Sequence, residues 1–393
     1  MTRKLMKRVG TTACMLAASL FSANAQNTTS SITGVSSDSE GVLPGTIVRV
    51  THVESGTTYS TVSNSKGIYR IDGILPGGPY TVEFSFVGYQ KSQTQVERIS
   101  LGEVYSCNAT LKAGAIKEVV IVGDGASIRK TGASESITAQ DIEKTPSIER
   151  WMDDLTNLSP YFQGNGFGGR DNGTINYSID GSNFNNNMGF ERVRMPAQNR
   201  PISIDAIEEM QIVTSSFDVK NSNFLSASVN AVTKRGSNTF KGSAYTYIKS
   251  ENFRGNKPYG EDLGDRPRYR RNIYGVTLGG PIIKDKLFFF VNGELEDIPN
   301  PIHNWKLSSD GIADPDHSVS RVTAADMAQF ANDLKSMYGW NPGSYTDFDG
   351  ENNYYRLLGR LDWNISDKHH AMVRYNYTGK NLSNTVYADL VIL

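Results

Sequence analysis

The sequence predicts a mainly β chain: a small β-sandwich, then an α+β domain, then the first strands of a transmembrane β-barrel. Three patterns predict it. Residues 31–112 hold short alternating strands with turn residues at intervals of roughly 8 to 12, the spacing of an all-β sandwich. Helical and strand signals alternate through residues 126–235. From Phe240 a strict two-residue alternation runs over segments of about ten residues, the length a tilted membrane-crossing strand needs. Composition narrows the classes further. With 40 Lys+Arg against 41 Asp+Glu there is no basic excess to attract nucleic acid. A mean hydropathy of -0.41, with no run of about 18 apolar residues, excludes a helical membrane protein. A barrel is compatible, because lipid-facing and lumen-facing residues average out along each strand.

The N-terminus has the order of an export signal. Arg3, Lys4, Lys7 and Arg8 precede an apolar run over 13–21, and Ala23-Asn24-Ala25 has the small-x-small form of a cleavage site. Removal of residues 1–25 takes four cations and no anion, leaving the mature chain more acidic. Cys14 leaves with the leader, so Cys107 stands alone and no internal disulfide can form.

In the sandwich, Thr46-Ile47-Val48-Arg49-Val50 and Tyr80-Thr81-Val82-Glu83-Phe84-Ser85-Phe86 are the clearest strands. Asn64-Ser65-Lys66-Gly67 and Pro76-Gly77-Gly78-Pro79 supply turns. Gly34, Leu43-Pro44-Gly45, Lys66-Gly67-Ile68-Tyr69, Leu75-Pro76-Gly77-Gly78-Pro79-Tyr80 and Val87-Gly88-Tyr89 give residues 30–113 a resemblance to the carboxypeptidase regulatory-like domain, a module that is not itself catalytic.

Residues 114–125 contain the β-branched run Glu118-Val119-Val120-Ile121-Val122, too short for more than one strand and free to be donated to a partner sheet. Thr138-Ala139-Gln140-Asp141 offers a helix cap, with Pro146 ending the turn. Ile148, Trp151, Met152, Leu155 and Leu158 then follow at helical spacing. Strands are expected near 175–179, 210–214 and 227–233, and the Gly/Asn-rich stretches 164–173 and 183–189 are expected to be irregular.

The barrel strands are expected at 240–249, 272–281, 286–296, 354–364 and 371–378. In the fourth, Tyr355, Leu357, Gly359, Leu361 and Trp363 share one face, while Tyr354, Arg356, Leu358, Arg360, Asp362 and Asn364 share the other. The connections run long, short, long, short, as external loops and periplasmic turns alternate in outer-membrane barrels.

These pieces in this order resemble a TonB-dependent outer-membrane receptor with an N-terminal regulatory-like domain, of the Oar type. The most specific stretches are Asn176-Tyr177-Ser178-Ile179-Asp180-Gly181, Ile202-Ser203-Ile204-Asp205-Ala206-Ile207-Glu208-Glu209-Met210, Asn230-Ala231-Val232-Thr233-Lys234-Arg235-Gly236, Gly279-Gly280-Pro281-Ile282-Ile283-Lys284-Asp285-Lys286-Leu287-Phe288-Phe289-Phe290 and Arg360-Leu361-Asp362-Trp363-Asn364. The resemblance implies that Glu118, Val119, Val120, Ile121 and Val122 form the TonB box, that 126–235 form the plug, and that 236–393 begin the barrel. It further implies active transport of a scarce solute, with TonB and outer-membrane lipid as partners. A paired surface lipoprotein, as in glycan-importing relatives, stays open, as does the solute. The family closes 22 strands and this chain supplies about five, so it is expected to be the N-terminal fragment of a longer receptor. The competing class is a secreted or surface adhesin without transport.

No enzyme, cofactor or metal site is expected. Gly164-Asn165-Gly166-Phe167-Gly168-Gly169 lacks the helix that a dinucleotide fingerprint needs. Ser63-Asn64-Ser65-Lys66 and Lys130-Thr131-Gly132 have no S-D-N between them. Asp347-Phe348-Asp349-Gly350 fails as an EF-hand loop, because Tyr345 and Arg356 stand where carboxylates are required; a weaker loop-bound cation stays open. None of the five His has a zinc-protease spacing, and Cys107 reads as a small core residue. The mature protein should begin at Gln26; N-terminal sequencing of exported material checks it, and recovery of residues 1–21 on that product would refute the leader.

Overall fold

The computed structural model describes residues 28–114, 119–122, 126–128, 133–147, 149–164, 166–170, 174–184, 201–214, 224–253, 255, 257–261, 269–301, 305–315, 319–343, 349–367 and 369–382. The leader, Glu118, Lys130-Thr131-Gly132, Ile148, His303, His317 and Asp347-Phe348 lie outside them. The chain falls into two compact units. One takes residues up to 242 with 277–291 and 358–375; the other takes 243–276, 292–357 and those from 376 on.

The first unit opens with a β-sandwich. One sheet is built on β1 (Ser30–Ser37), which pairs with β4 (Ile68–Ile74), β7 (Val104–Ser106) and β8 (Ala109–Thr110). The other runs β3 (Thr58–Val62), β2 (Ile47–His52), β5 (Tyr80–Ser85), β6 (Ser92–Val96). Alternation sets the burial: Val48 and Val50 of β2 and Tyr80, Val82 and Phe84 of β5 point inward to a shared core with Ile32, Tyr69 and Ile74. Each large side chain so buried contributes about 1.5–3 kcal/mol. Gly34 is where β1 passes closest to β7 and β8: a Cβ there would stand 1.9 Å from the Cys107 carbonyl oxygen. Cys107 is buried as expected, and burial pushes its thiol pKa up. Ser63 is structural, donating to the Leu43 carbonyl (2.7 Å) and accepting from the Thr46 N–H (2.9 Å).

Two short strands continue the sandwich. β9 (Val119–Val122) pairs parallel with β6, and β10 (Ala126–Ile128) pairs antiparallel with β7. The expectation of an unpaired strand over 119–122 is therefore corrected. The reason is elementary, since β6 would otherwise expose a row of unpaired backbone groups.

The α+β domain is a sheet in the order β11 (Ser134–Thr138), β16 (Ile207–Val213), β17 (Ala227–Thr233), β14 (Ile175–Ile179), β15 (Ser182–Asn183). β14 and β17 are parallel and buried along their whole length. Their polar residues are paired inside, with Ser178 Oγ and Ser228 Oγ donating to Asn230 Oδ1 at 2.7 and 3.2 Å. Helix α1 (Ala139–Lys144) begins at Thr138 with a capping box closed by Asp141. The helix expected over 148–158 is only α2 (Met152–Thr156). Asp154 Oδ2 accepts from Ser147 Oγ and from the N–H groups of Glu149 and Arg150, which holds that backbone in a loop with Arg150 at φ 54°. In the glycine-rich stretch, β12 (Phe162–Gln163) and β13 (Gly166–Phe167) form a small hairpin that was not expected.

The sandwich is bonded to this domain through Glu209, which is fully buried on β16. Its carboxylate accepts from Arg98 Nη2 (2.7 Å), the Leu101 N–H (2.8 Å) and Ser136 Oγ (2.6 Å). Two residues on, Gln211 Nε2 donates to the Leu101 carbonyl (2.8 Å). His52 makes a second link. Its ring nitrogen Nε2 accepts from Arg235 Nη2 (3.0 Å), and burial together with the Arg235 charge pulls its pKa down to about 2. The imidazole is neutral, so Nδ1 donates to Ser55 Oγ at 2.8 Å.

The barrel strands are β18 (Lys241–Ser250), β19 (Arg270–Ile283), β20 (Leu287–Pro301), β23 (Asp349–Ser366) and β24 (His369–Leu382), neighbours in sequence being neighbours in the sheet. The long connection before β23 carries β21 (Lys306–Ser308), β22 (Val319–Thr323) and helix α3 (Ala324–Tyr338). That helix was not expected, although Thr323 and Asp326 form a capping box and Gly339 ends it in the left-handed region.

Replacing Glu209 by Leu should cost about 3 kcal/mol, because three donors lose one buried acceptor. Hydrogen exchange checks it: the Leu101 amide should lose protection, while the sandwich core amide of Val82 should keep it.

Candidate docking segment and barrel wall

Barrel strands β19, β20 and β23 are inside-out relative to a water-soluble sheet. On β23, Tyr354, Arg356, Leu358, Arg360 and Asp362 are at most 9% exposed, whereas Tyr355, Leu357, Leu361 and Trp363 are 42–52% exposed. Charge faces inward and apolar surface faces out. β20 repeats the division, with Asn292, Glu294 and Glu296 buried and Val291 and Leu295 exposed. On β19, Tyr274, Val276 and Leu278 are the exposed set. Water cannot be the solvent of such a face; hydrocarbon can.

In the second unit the inward charges form one row. Arg271 Nε donates to Glu296 Oε1 (2.6 Å), Arg356 donates to both Glu296 and Glu294 (2.5 and 2.8 Å), and Tyr245 OH donates to Glu294 Oε2 (2.8 Å). Four neighbouring strands, β18, β19, β20 and β23, are thereby tied across one face. Gly275 makes room for the row, since a Cβ there would lie 2.1 Å from the Tyr245 ring.

In the first unit the wall is joined to the α+β sheet. Arg360 of β23 chelates Asp362 and also donates to the carbonyl (2.8 Å) and hydroxyl (3.0 Å) of Thr233 at the end of β17. Asp180, just past β14, stands 3.5 Å from Arg360 and accepts from Arg374 of β24 (2.9 Å). It also accepts from the Thr233 N–H and hydroxyl, at 2.9 and 2.7 Å. Every charge in the cluster is neutralised by another, as burial demands.

Among the expected site residues, Val119, Val120, Ile121 and Val122 lie on β9 against Ser92, Gln93, Thr94 and Gln95. The structure brings them to the edge of the sandwich. Glu209, Asp180 and Arg360 lay within the stretches quoted above for the resemblance, but their partners are distant in sequence and local pattern could not name them.

Residues 31–112 match the family described as carboxypeptidase regulatory-like domain, and residues 232–304 match the family described as outer membrane beta barrel domain. The TonB-dependent transporter Oar of Myxococcus xanthus is 24% identical over 381 residues, covering 91% of this chain and 34% of that protein. The likeness to Oar-type TonB-dependent receptors is real. The chain spans about a third of the length of this Oar relative. Among solved structures, the siderophore receptor PirA from Acinetobacter baumannii is 17% identical, covering 65% of this chain and 32% of that one, with a TM-score of 0.42. The outer membrane transporter YddB from Escherichia coli is 15% identical, covering 63% and 33%, also with a TM-score of 0.42. The chain is an outer-membrane protein.

Leu361→Arg should destabilise the folded barrel by about 2 kcal/mol, the cost of a charge on the lipid face. Val62→Arg, on an exposed sandwich position, should stay within about 0.5 kcal/mol of wild type. Urea titration of receptor folded into vesicles reads both.

Proposed function

We propose that this chain belongs to a receptor that carries a scarce solute into the periplasm by active transport. Residues 30–113 form its regulatory-like domain, 126–235 its plug and 236–393 the start of its barrel. Glu118, Val119, Val120, Ile121 and Val122 are the segment that TonB grips. The observation that supports this reading most is the Asp180, Thr233 and Arg360 cluster, which fastens a folded α+β domain to the charged inner face of a barrel wall whose outer face is apolar. In this reading the domain blocks the lumen and moves for a solute to pass.

The grip is backbone in character. An extended segment adds to a partner's sheet through main-chain hydrogen bonds, with little demand on side chains. At roughly 1 kcal/mol net per bond, five residues supply about 5 kcal/mol before association costs. Contact is therefore transient, as repeated cycles require.

In the complete receptor, Val120→Pro should cut energised uptake at least tenfold and leave surface binding of the same solute and outer-membrane level within about twofold. Proline removes a ladder donor and obstructs strand addition. Val120→Thr should do far less. Unchanged uptake in the proline variant would remove these five residues from their role, and loss of protein level would make them an ordinary structural strand.

A further inference from the structure

The proposed docking segment is not a loose tether. β9 is bonded to β6 over Ser92↔Val119, Gln93↔Val120, Thr94↔Ile121 and Gln95↔Val122. β6 runs straight into the residues that hold the α+β sheet. Three positions after Gln95, Arg98 donates to Glu209, and three further on the Leu101 N–H does the same while its carbonyl accepts from Gln211. Ile99, between them, is held in place by reciprocal bonds with Gly77, both 2.9 Å. A pull on β9 can reach the plug along the covalent chain through β10 to β11, or through the sandwich and its clamp on β16; β9 joins the sandwich by its ladder to β6 and by the chain leading back to β8.

We infer that the regulatory-like sandwich is the load-carrying link: a pull on β9 passes through β6 and the Arg98–Glu209–Leu101 clamp into β16 of the plug, ahead of the covalent linker. The inference rests on the docking role proposed for 118–122. A pull along β9 loads its parallel ladder in shear, so all of its bonds share the force together. The clamp is equally suited to bear load. Glu209 is fully buried, its three donors come from two domains, and charge-assisted bonds are roughly twice as strong as neutral ones. The covalent route is held aside at its first step, because β10 is paired to β7 of the same sandwich through Val104↔Ile128, Tyr105↔Ser127 and Ser106↔Ala126. Tension must first peel β10 from β7 before that route tightens. Glu209 is in this sense a positioning residue, acting on the plug through the strand it sits in.

The test pulls on the complete receptor in a supported bilayer, with the C-terminal domain of TonB on the cantilever as the probe. Glu209→Gln keeps an acceptor for Leu101 and Ser136 but removes the charge facing Arg98. It should leave capture frequency within twofold of wild type and lower the force of the first plug-lengthening event at least twofold. A merely structural residue would reduce folded receptor and capture together. The second variant, Val104→Cys with Ile128→Cys, cross-links β10 to β7; register partners about 5 Å apart suit a disulfide. Buried Cys107, with its raised pKa, does not compete. Oxidised, this variant should give the first event at wild-type force within twofold. An event lost on oxidation and restored by reductant would put the load on the covalent linker and overturn the inference, as would an unchanged force in Glu209→Gln. Failure of TonB to capture any form, wild type included, would overturn the docking reading itself, and the load path with it.

Discussion

A guanidinium buried on a β-strand has to be neutralised where it stands, and Arg360 is the case on which the rest of the molecule turns. It cannot face lipid, and β23 gives it no water. Asp362 on its own strand covers one side; Thr233 and Asp180, at the ends of two strands of the α+β sheet, cover the other. Because one of those groups is a backbone carbonyl, β17 cannot shift along the wall without stripping a buried charge. Uncompensated burial of that kind costs several kcal/mol. The position of the α+β sheet therefore follows from an electrostatic requirement of the barrel strand. Asp180 completes the arrangement by receiving Arg374 from the next strand.

The sandwich is attached by the same logic at a different place. Glu209 and His52 are both buried, and their surroundings differ. Three donors converge on the carboxylate, whereas the imidazole is kept uncharged by its burial and by the Arg235 cation beside it. A neutral ring can accept from the guanidinium; a protonated one would repel it. The relative positions of the sandwich and the α+β domain thus rest on a few long-range polar contacts rather than on a shared apolar core, which is consistent with their separate hydrophobic clusters.

Periodicity made most of this legible. The dyad faces of 354–364 divide in the structure as they divide in the sequence, because a strand has no other way to arrange alternate residues. The Thr138 and Asp141 cap could be read for the same reason: both partners lie within one turn. What local pattern could not show was pairing at a distance. β9 joins β6 across more than twenty residues, and Glu209 meets Arg98 across 111. The helix expected over 148–158 shrank because a single carboxylate, Asp154, competes for the backbone that the apolar spacing had claimed. Helix α3 has both its caps written in Thr323, Asp326 and Gly339, but the stretch 297–353 between the expected strands reads only as a loop.

The inside-out wall also bears on how the protein reaches its membrane. Before insertion, Leu357, Leu361 and Trp363 face an aqueous compartment on a strand of high β propensity, the kind of segment that stacks with copies of itself. Arg356, Arg360 and Asp362 interrupt that segment, with only Leu358 breaking the alternation of charge. Charges so placed act as gatekeepers against aggregation. The side chains that the folded wall buries are, before folding, the ones that keep the strand apart from its neighbours.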